Sequence, residues 1–347
     1  MKPSRRPRRS VPEPNRFMAS LDTRVGGPVT RRSSAPPASA VTSSGSQRPV
    51  SPRGQKRLSF SHNRIGWIFV APLVIILSLF TVLPAVIALA MSFTDIGAAD
   101  LRDPFAVNFT AFDTFIQVLT DQTFLRALFN TTLFVVISVP LTVGIAFVLA
   151  LILNNGIRRL KSFFRAAIYL PVITNIVAAA VIWQYAFTVT GPVNAGLETL
   201  SIHGPNWLGD PVWAVPTVAA LGIWRNIGTC MIFFLAGLQG IPEEVEEAAS
   251  MDGAGYWGRV LHMTIPLLRP TTLLVMILMT VSFLNIFDEP YLVTHGGPLG
   301  STQSLALWVY EQFGYGNIAP SMAGSFILLA LVGIIAAVQF RVLRPKH

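Results

Sequence analysis

Beyond Ile65 the chain is organised by long runs that carry almost no charge, separated by short polar connections. Six such runs stand out, over about 66–93, 127–153, 166–187, 212–238, 271–291 and 322–343. Each is long enough to cross ~30 Å of hydrocarbon at 1.5 Å per residue, so the pattern predicts an all-α, polytopic membrane protein with six transmembrane helices. Pro72, Pro84, Pro140, Pro171 and Pro216 fall within or near these runs. A membrane bundle tolerates them, and kinks are expected there.

The first 61 residues read differently. They are rich in Arg, Pro, Ser and Thr and contain no apolar run able to bury itself, which predicts a disordered tail over 1–61 and a membrane domain over 62–347. Between residues 2 and 64 there are 14 Lys and Arg against Glu13 and Asp22 alone, a local charge of +12. The net charge of +9 therefore belongs to the tail, and it does not point to nucleic acid. Overall, 52% of residues are apolar and 12% charged, unlike a soluble domain.

Positive residues also give an orientation. Of the 26 Lys and Arg, 14 lie in the tail, four between runs two and three (Arg158, Arg159, Lys161, Arg165), two between runs four and five (Arg259, Arg269), and three at the end (Arg341, Arg344, Lys346). These share one side, leaving Arg102, Arg126 and the intramembrane Arg225. Both termini are predicted to be cytoplasmic in a plasma membrane, with outward loops around 95–121, 198–210 and 295–319.

Much chemistry is missing from the sequence. No GxxxxGK[ST] loop is present to cradle ATP, the five histidines show no metal-ligand spacing, and Cys230 is the single cysteine. No catalytic residue, metal or cofactor is assigned to this chain, and any energy for uphill movement must come from elsewhere.

The segment between runs four and five is the most informative. Pro242 can begin a short helix whose following acids, Glu243, Glu244, Glu246 and Glu247, suit the positive end of the helix dipole. Gly253 can end that helix with a positive φ, Tyr256 to His262 can form another helical turn, and Pro266 marks the entry to run five. Glu247-Ala248-Ala249, three residues, Gly253, nine residues, then Met263-Thr264-Ile265-Pro266 resembles the EAA loop of ABC importer permeases. The flanking Leu235-Ala236-Gly237-Leu238-Gln239-Gly240-Ile241-Pro242, Met251-Asp252-Gly253-Ala254 and Thr294-His295-Gly296-Gly297-Pro298 look like the carbohydrate-uptake branch of that family.

The resemblance covers about residues 62–347 and implies a type I importer subunit. It would pair in the lipid membrane with a second, homologous permease, an ABC ATPase dimer that binds ATP and Mg, and an extracytoplasmic solute-binding protein, and would import a sugar by alternating access. Residues 241–270 would then be the coupling loop. Glu247 would meet a basic residue of the ATPase, Gly253 would allow the sharp turn, and Ala248, Ala249, Asp252 and Pro266 would complete the motif.

Ionisable groups in hydrocarbon cost roughly 2.5–3.5 kcal/mol each, so they tend to face a cavity or a partner. Arg225 in run four, with Asp288 and Glu289 late in run five, are such groups. Trp224, Asn226 and Thr229 accompany the first, and Ser282, Phe283, Asn285 and Phe287 the second; the resemblance further implies that Gly222, Arg225, Asn226, Thr229, Ser282 and Phe283 contribute to a substrate cavity. Aromatic faces beside amides and hydroxyls suit a sugar. Arg225 could equally pair with Asp288 or Glu289, with the asparagines holding helices together. It could also serve as counter-charge for glycerol-3-phosphate or another anionic polyol. A proton-coupled secondary transporter using Arg225, Asp288 and Glu289 is a more distant alternative, as is a membrane-embedded transferase.

Overall fold

The computed structural model describes residues 61–102, 107–155 and 160–343, nearly all of them within one compact unit, Asn63–His347. The predicted tail lies outside the described residues except for Ser61, as do Arg158, Arg159, Arg344 and Lys346 of the orientation argument.

The chain is helical throughout, as the pattern predicts. Helix α1 (Ser61–Leu77) passes through a π-helical turn, Ser78–Val82, into α2 (Leu83–Met91), and α3 (Asp113–Thr120) lies in the connection that follows. Then come α4 (Gln122–Asn155), α5 (Lys161–Ile173), α6 (Ile176–Ala186), α7 (Pro192–Glu198) and α8 (Pro211–Gln239). The loop after α8 holds α9 (Glu243–Met251), α10 (Tyr256–Arg259), a π-helical turn at Val260–Thr264 and α11 (Ile265–Leu267). The chain closes with α12 (Arg269–Leu284), α13 (Asp288–Thr294), α14 (Leu305–Gly314) and α15 (Ile318–Leu343).

Four segments are long and apolar enough to span a membrane as they stand: Phe69–Met91, Gln122–Asn154, Pro211–Gln239 and Ile318–Val342. Two bent pairs raise the total to six. The third predicted span, 166–187, is the pair α5 and α6, which meet at 95°. The cause is local. Pro171 removes a backbone donor near the end of α5, Thr174 is extended, and the Asn175 side chain accepts from Val177 N and Ala178 N to start a new helix. The fifth span, predicted over 271–291, is corrected at both ends. It is entered through a 68° bend at Leu268, between Pro266 and Pro270, and α12 stops at Leu284. Residues 288–294 then form a separate helix.

Helix α8 is the centre of the bundle. It buries Leu221, Cys230, Met231 and Phe234 against Phe134, Ala146 and Ala150 of α4 and Val275 and Met279 of α12. Small residues permit the close approach that membrane packing needs. At Gly228 a Cβ would lie 2.7 Å from the Ile168 carbonyl oxygen, so α5 touches α8 backbone to backbone. A second cluster, near the N-terminal end of α4, joins Phe124 and Ala127 of α4 to Leu305 and Trp308 of α14 and Ala323 of α15. Trp308 crosses Phe124 edge-on at 5.0 Å and donates Nε1–H to Thr123 Oγ1. Asn130 donates to the Gly300 and Gln303 carbonyls, which ties the loop after α13 to α4.

By contrast, no residue of Phe69–Met91 is buried within this chain. Its C-terminal part, α2, packs against α15.

Candidate functional sites: a coupling knob and an intramembrane ion pair

The loop 241–270 is a helix–turn–helix knob at the C-terminal end of α8. Pro242 is the N-cap residue, so α9 starts at Glu243, one position later than expected. At its far end Gly253 N–H donates to the Ser250 carbonyl and Ala254 N–H to the Ala249 carbonyl, with Gly253 at φ 77°. This is a Schellman ending, and it needs a residue free to adopt a left-handed backbone. Ala249 therefore serves as acceptor in the turn.

Glu247, Ala248, Asp252 and Gly253 are exposed and Ala249 partly so, on an element with no cover from its own chain. Met251 is 89% and Trp257 70% exposed. Pro266 lies in α11, where it helps set the bend into α12. The knob thus offers acidic residues at its first helix and bare apolar side chains at its turn.

The second site is at mid-membrane. Arg225 Nη1 donates to Glu289 Oε1 at 2.9 Å, joining the middle of α8 to the first turn of α13. It is the one ion pair among the described residues. Gly222 lies one turn before Arg225; a Cβ there would meet Phe283 Cε1 at 3.0 Å and Glu289 Oε1 at 3.8 Å. Gly222, Arg225, Phe283 and Glu289 therefore form one contiguous group.

Other candidates separate from it. The acid that meets Arg225 is Glu289, while Asp288 is exposed. Asn226 donates to the Gly222 carbonyl and Asn285 to the Val281 carbonyl, each within its own chain turn. Ser282 and Asn285 are exposed, Thr229 is partly buried, and Trp224 packs beside Trp183. Phe287 stacks on Tyr291, with Tyr310 edge-on to both.

Sequence reasoning missed Gln184. Its amide donates to both the Leu292 and Val293 carbonyls, at 2.9 and 3.0 Å, holding α6 to α13. An uncharged amide within an apolar run was the available signal.

Residues 122–346 match the model of the family described as the binding-protein-dependent transport system inner membrane component. The chain belongs to that family. The permease is thus a multi-pass membrane component of an ABC importer. It is 34% identical to the lactose transport system permease protein LacF of Rhizobium radiobacter over 81% of this chain and 94% of that one. It is 32% identical to the sn-glycerol-3-phosphate transport system permease protein UgpA of Agrobacterium fabrum (83% and 97%) and 29% identical to the trehalose/maltose transport system permease protein MalF of Thermococcus litoralis (84% and 97%). Its fold matches a chain of a bacterial alginate ABC transporter, solved in complex with an alginate pentasaccharide-bound periplasmic protein. There the TM-score is 0.70 at 21% identity, over 82% of this permease and 95% of that chain.

Proposed function

We propose that this permease imports a sugar across the plasma membrane, both termini cytoplasmic, as one of two homologous permease subunits. Two copies of an ABC ATPase, which bind ATP and Mg, would drive it, and an extracytoplasmic binding protein would deliver the solute. The observation that carries this reading is the bare coupling knob at the end of a single continuous helix. Helix α8 runs unbroken from Pro211 to Gln239, so a push that α9 passes across the short turn Gly240–Pro242 reaches Arg225 along a single helix. Glu247 suits a charge-assisted contact with a basic residue of the ATPase, and Met251 and Trp257 suit an apolar cleft.

A neutral saccharide fits better than an anionic polyol. Arg225 is already neutralised by Glu289 in its own chain, so it supplies no net counter-charge to a phosphate. The relatives whose names include lactose and trehalose/maltose support the same class. The ion pair also weakens the proton-relay alternative, since it occupies the groups that a relay would need free.

The test is co-expression with the partner permease, ATPase and binding protein, followed by ATP hydrolysis in lipid as lactose, maltose and trehalose are added. Stimulation by one sugar-loaded binding protein, lost in Glu247→Ala, is the expected result. Failure of any ATPase to associate overturns the reading.

A further inference from the structure

The rings of Trp213, Trp207, Phe187, Trp183 and Trp224 form an unbroken series. Neighbouring centroids lie 5.2, 5.7, 4.9 and 6.1 Å apart. Three elements contribute: Trp213 and Trp224 come from α8, Trp183 from α6 with Phe187 at its C-cap, and Trp207 from the connection that precedes α8. Trp224 follows Trp213 by eleven positions along α8. At 1.5 Å per residue that is a descent of roughly 16 Å, from the outer end of the helix to its middle. The series ends one residue from Arg225 and its partner Glu289.

An aromatic belt that anchors a membrane protein sits at headgroup level, at the two interfaces. A series that reaches mid-membrane has another role. Two of the indoles are fixed through their only donor: Trp183 Nε1–H to the Thr217 carbonyl at 3.0 Å, and Trp207 Nε1–H to Asn194 Oδ1 at 2.7 Å. These rings cannot hydrogen-bond a visitor through nitrogen and have only face and edge to offer. At the two ends Trp213 and Trp224 are 42% and 39% exposed. The negative face of an aromatic ring attracts the weakly positive C–H bonds on the apolar face of a pyranose, while the sugar hydroxyls stay outward.

We propose that this series is a track along which the ring face of a saccharide moves between the outer mouth and the Arg225–Glu289 pair. The proposal rests on the sugar-import reading above. It adds Trp213, Trp207, Phe187 and Trp183 to the residues that handle the solute, and it specifies what they recognise: a neutral ring with one apolar face, in preference to an open-chain polyol.

The test uses the whole complex in proteoliposomes, with radiolabelled lactose, maltose and trehalose as probes and sugar carried per ATP hydrolysed as the readout. Trp213→Leu and Phe187→Leu keep apolar bulk for lipid or helix packing but remove the π-face. Each is expected to lower sugar carried per ATP roughly three- to tenfold, and Trp213→Phe and Phe187→Tyr are expected to restore most of it. Leucine variants that carry as much sugar per ATP as the parent overturn the track and leave the importer reading standing. Equal losses in the leucine and aromatic variants also overturn it, since packing alone then explains the rings. If the parent complex carries none of the three sugars, the saccharide reading itself falls, and the track with it.

Discussion

Arg225 bonds to Glu289 and not to its neighbour Asp288, although both carboxylates open the same helix. Consecutive helical residues point about 100° apart, so only one of the two can face α8. The partner is chosen by the break at Asn285–Phe287, which sets where α13 begins. Removing one member of this pair strands the other inside the bundle. Arg225→Gln is expected to cost about 3 kcal/mol of stability, with much of that recovered in the Arg225→Gln, Glu289→Gln double variant. Labelling of the buried Cys230 thiol on heating reports the unfolding directly. A double variant no more stable than the single one would show that the two groups are not coupled.

Gly253→Ala places a side chain where φ is 77° but where space is open. The expected cost is about 1–2 kcal/mol, confined to the knob. Cys230 labelling should be unchanged while sugar-stimulated ATP hydrolysis falls. A variant with full stimulation would separate the Schellman turn from coupling.

Gly228→Ala is the opposite case, a crowded position with ordinary backbone. Its Cβ would press on the Ile168 carbonyl oxygen and Val172, forcing α5 away from α8 at about 1–3 kcal/mol. The same thermal assay should show earlier Cys230 labelling, because the thiol lies two residues further along that helix.

Asn175→Ala removes the acceptor for Val177 N and Ala178 N and should cost about 1 kcal/mol. Pro171 and the extended Thr174 remain, so the bend should persist while the first turn of α6 frays. Faster amide exchange at Val177 and Ala178 is the measurement.

Outside the spanning segments, Asp95 holds the connection between α2 and α3 by accepting from the side chain and backbone of Asn108. These donors lower its pKa below the ordinary 3.8. The loop contact is therefore complete above that value and is lost as pH falls through the lowered one. Asn108→Ala should bring the Asp95 titration, followed by carboxyl NMR, back up towards 3.8.

The long apolar runs made α4, α8 and α15 legible, since hydropathy and length alone decide them. The knob was legible because its glycine and prolines sit at fixed spacing along one short segment. The 95° break was legible only as a kink expected near Pro171: hydropathy averages over Thr174 and Asn175, and the capping chemistry of Asn175 is what makes the kink a restart. The choice of Glu289 over Asp288 depends on helix phase after a break, and phase is lost at every irregular residue. The ring series was hidden for a different reason, because residues 183, 187, 207, 213 and 224 show no shared period and meet only when α6 folds back along α8.

No residue of Phe69–Met91 is fully buried against its own chain, and lipid tails are as apolar as its side chains, so leaving most of it bare costs the bundle little. Its place in the bilayer is decided by its own hydropathy and asks nothing of the helices that follow. Lying ahead of those helices in the chain, it can insert at once and wait. The rest of the permease then assembles from an anchor already in position, tied to it near α2.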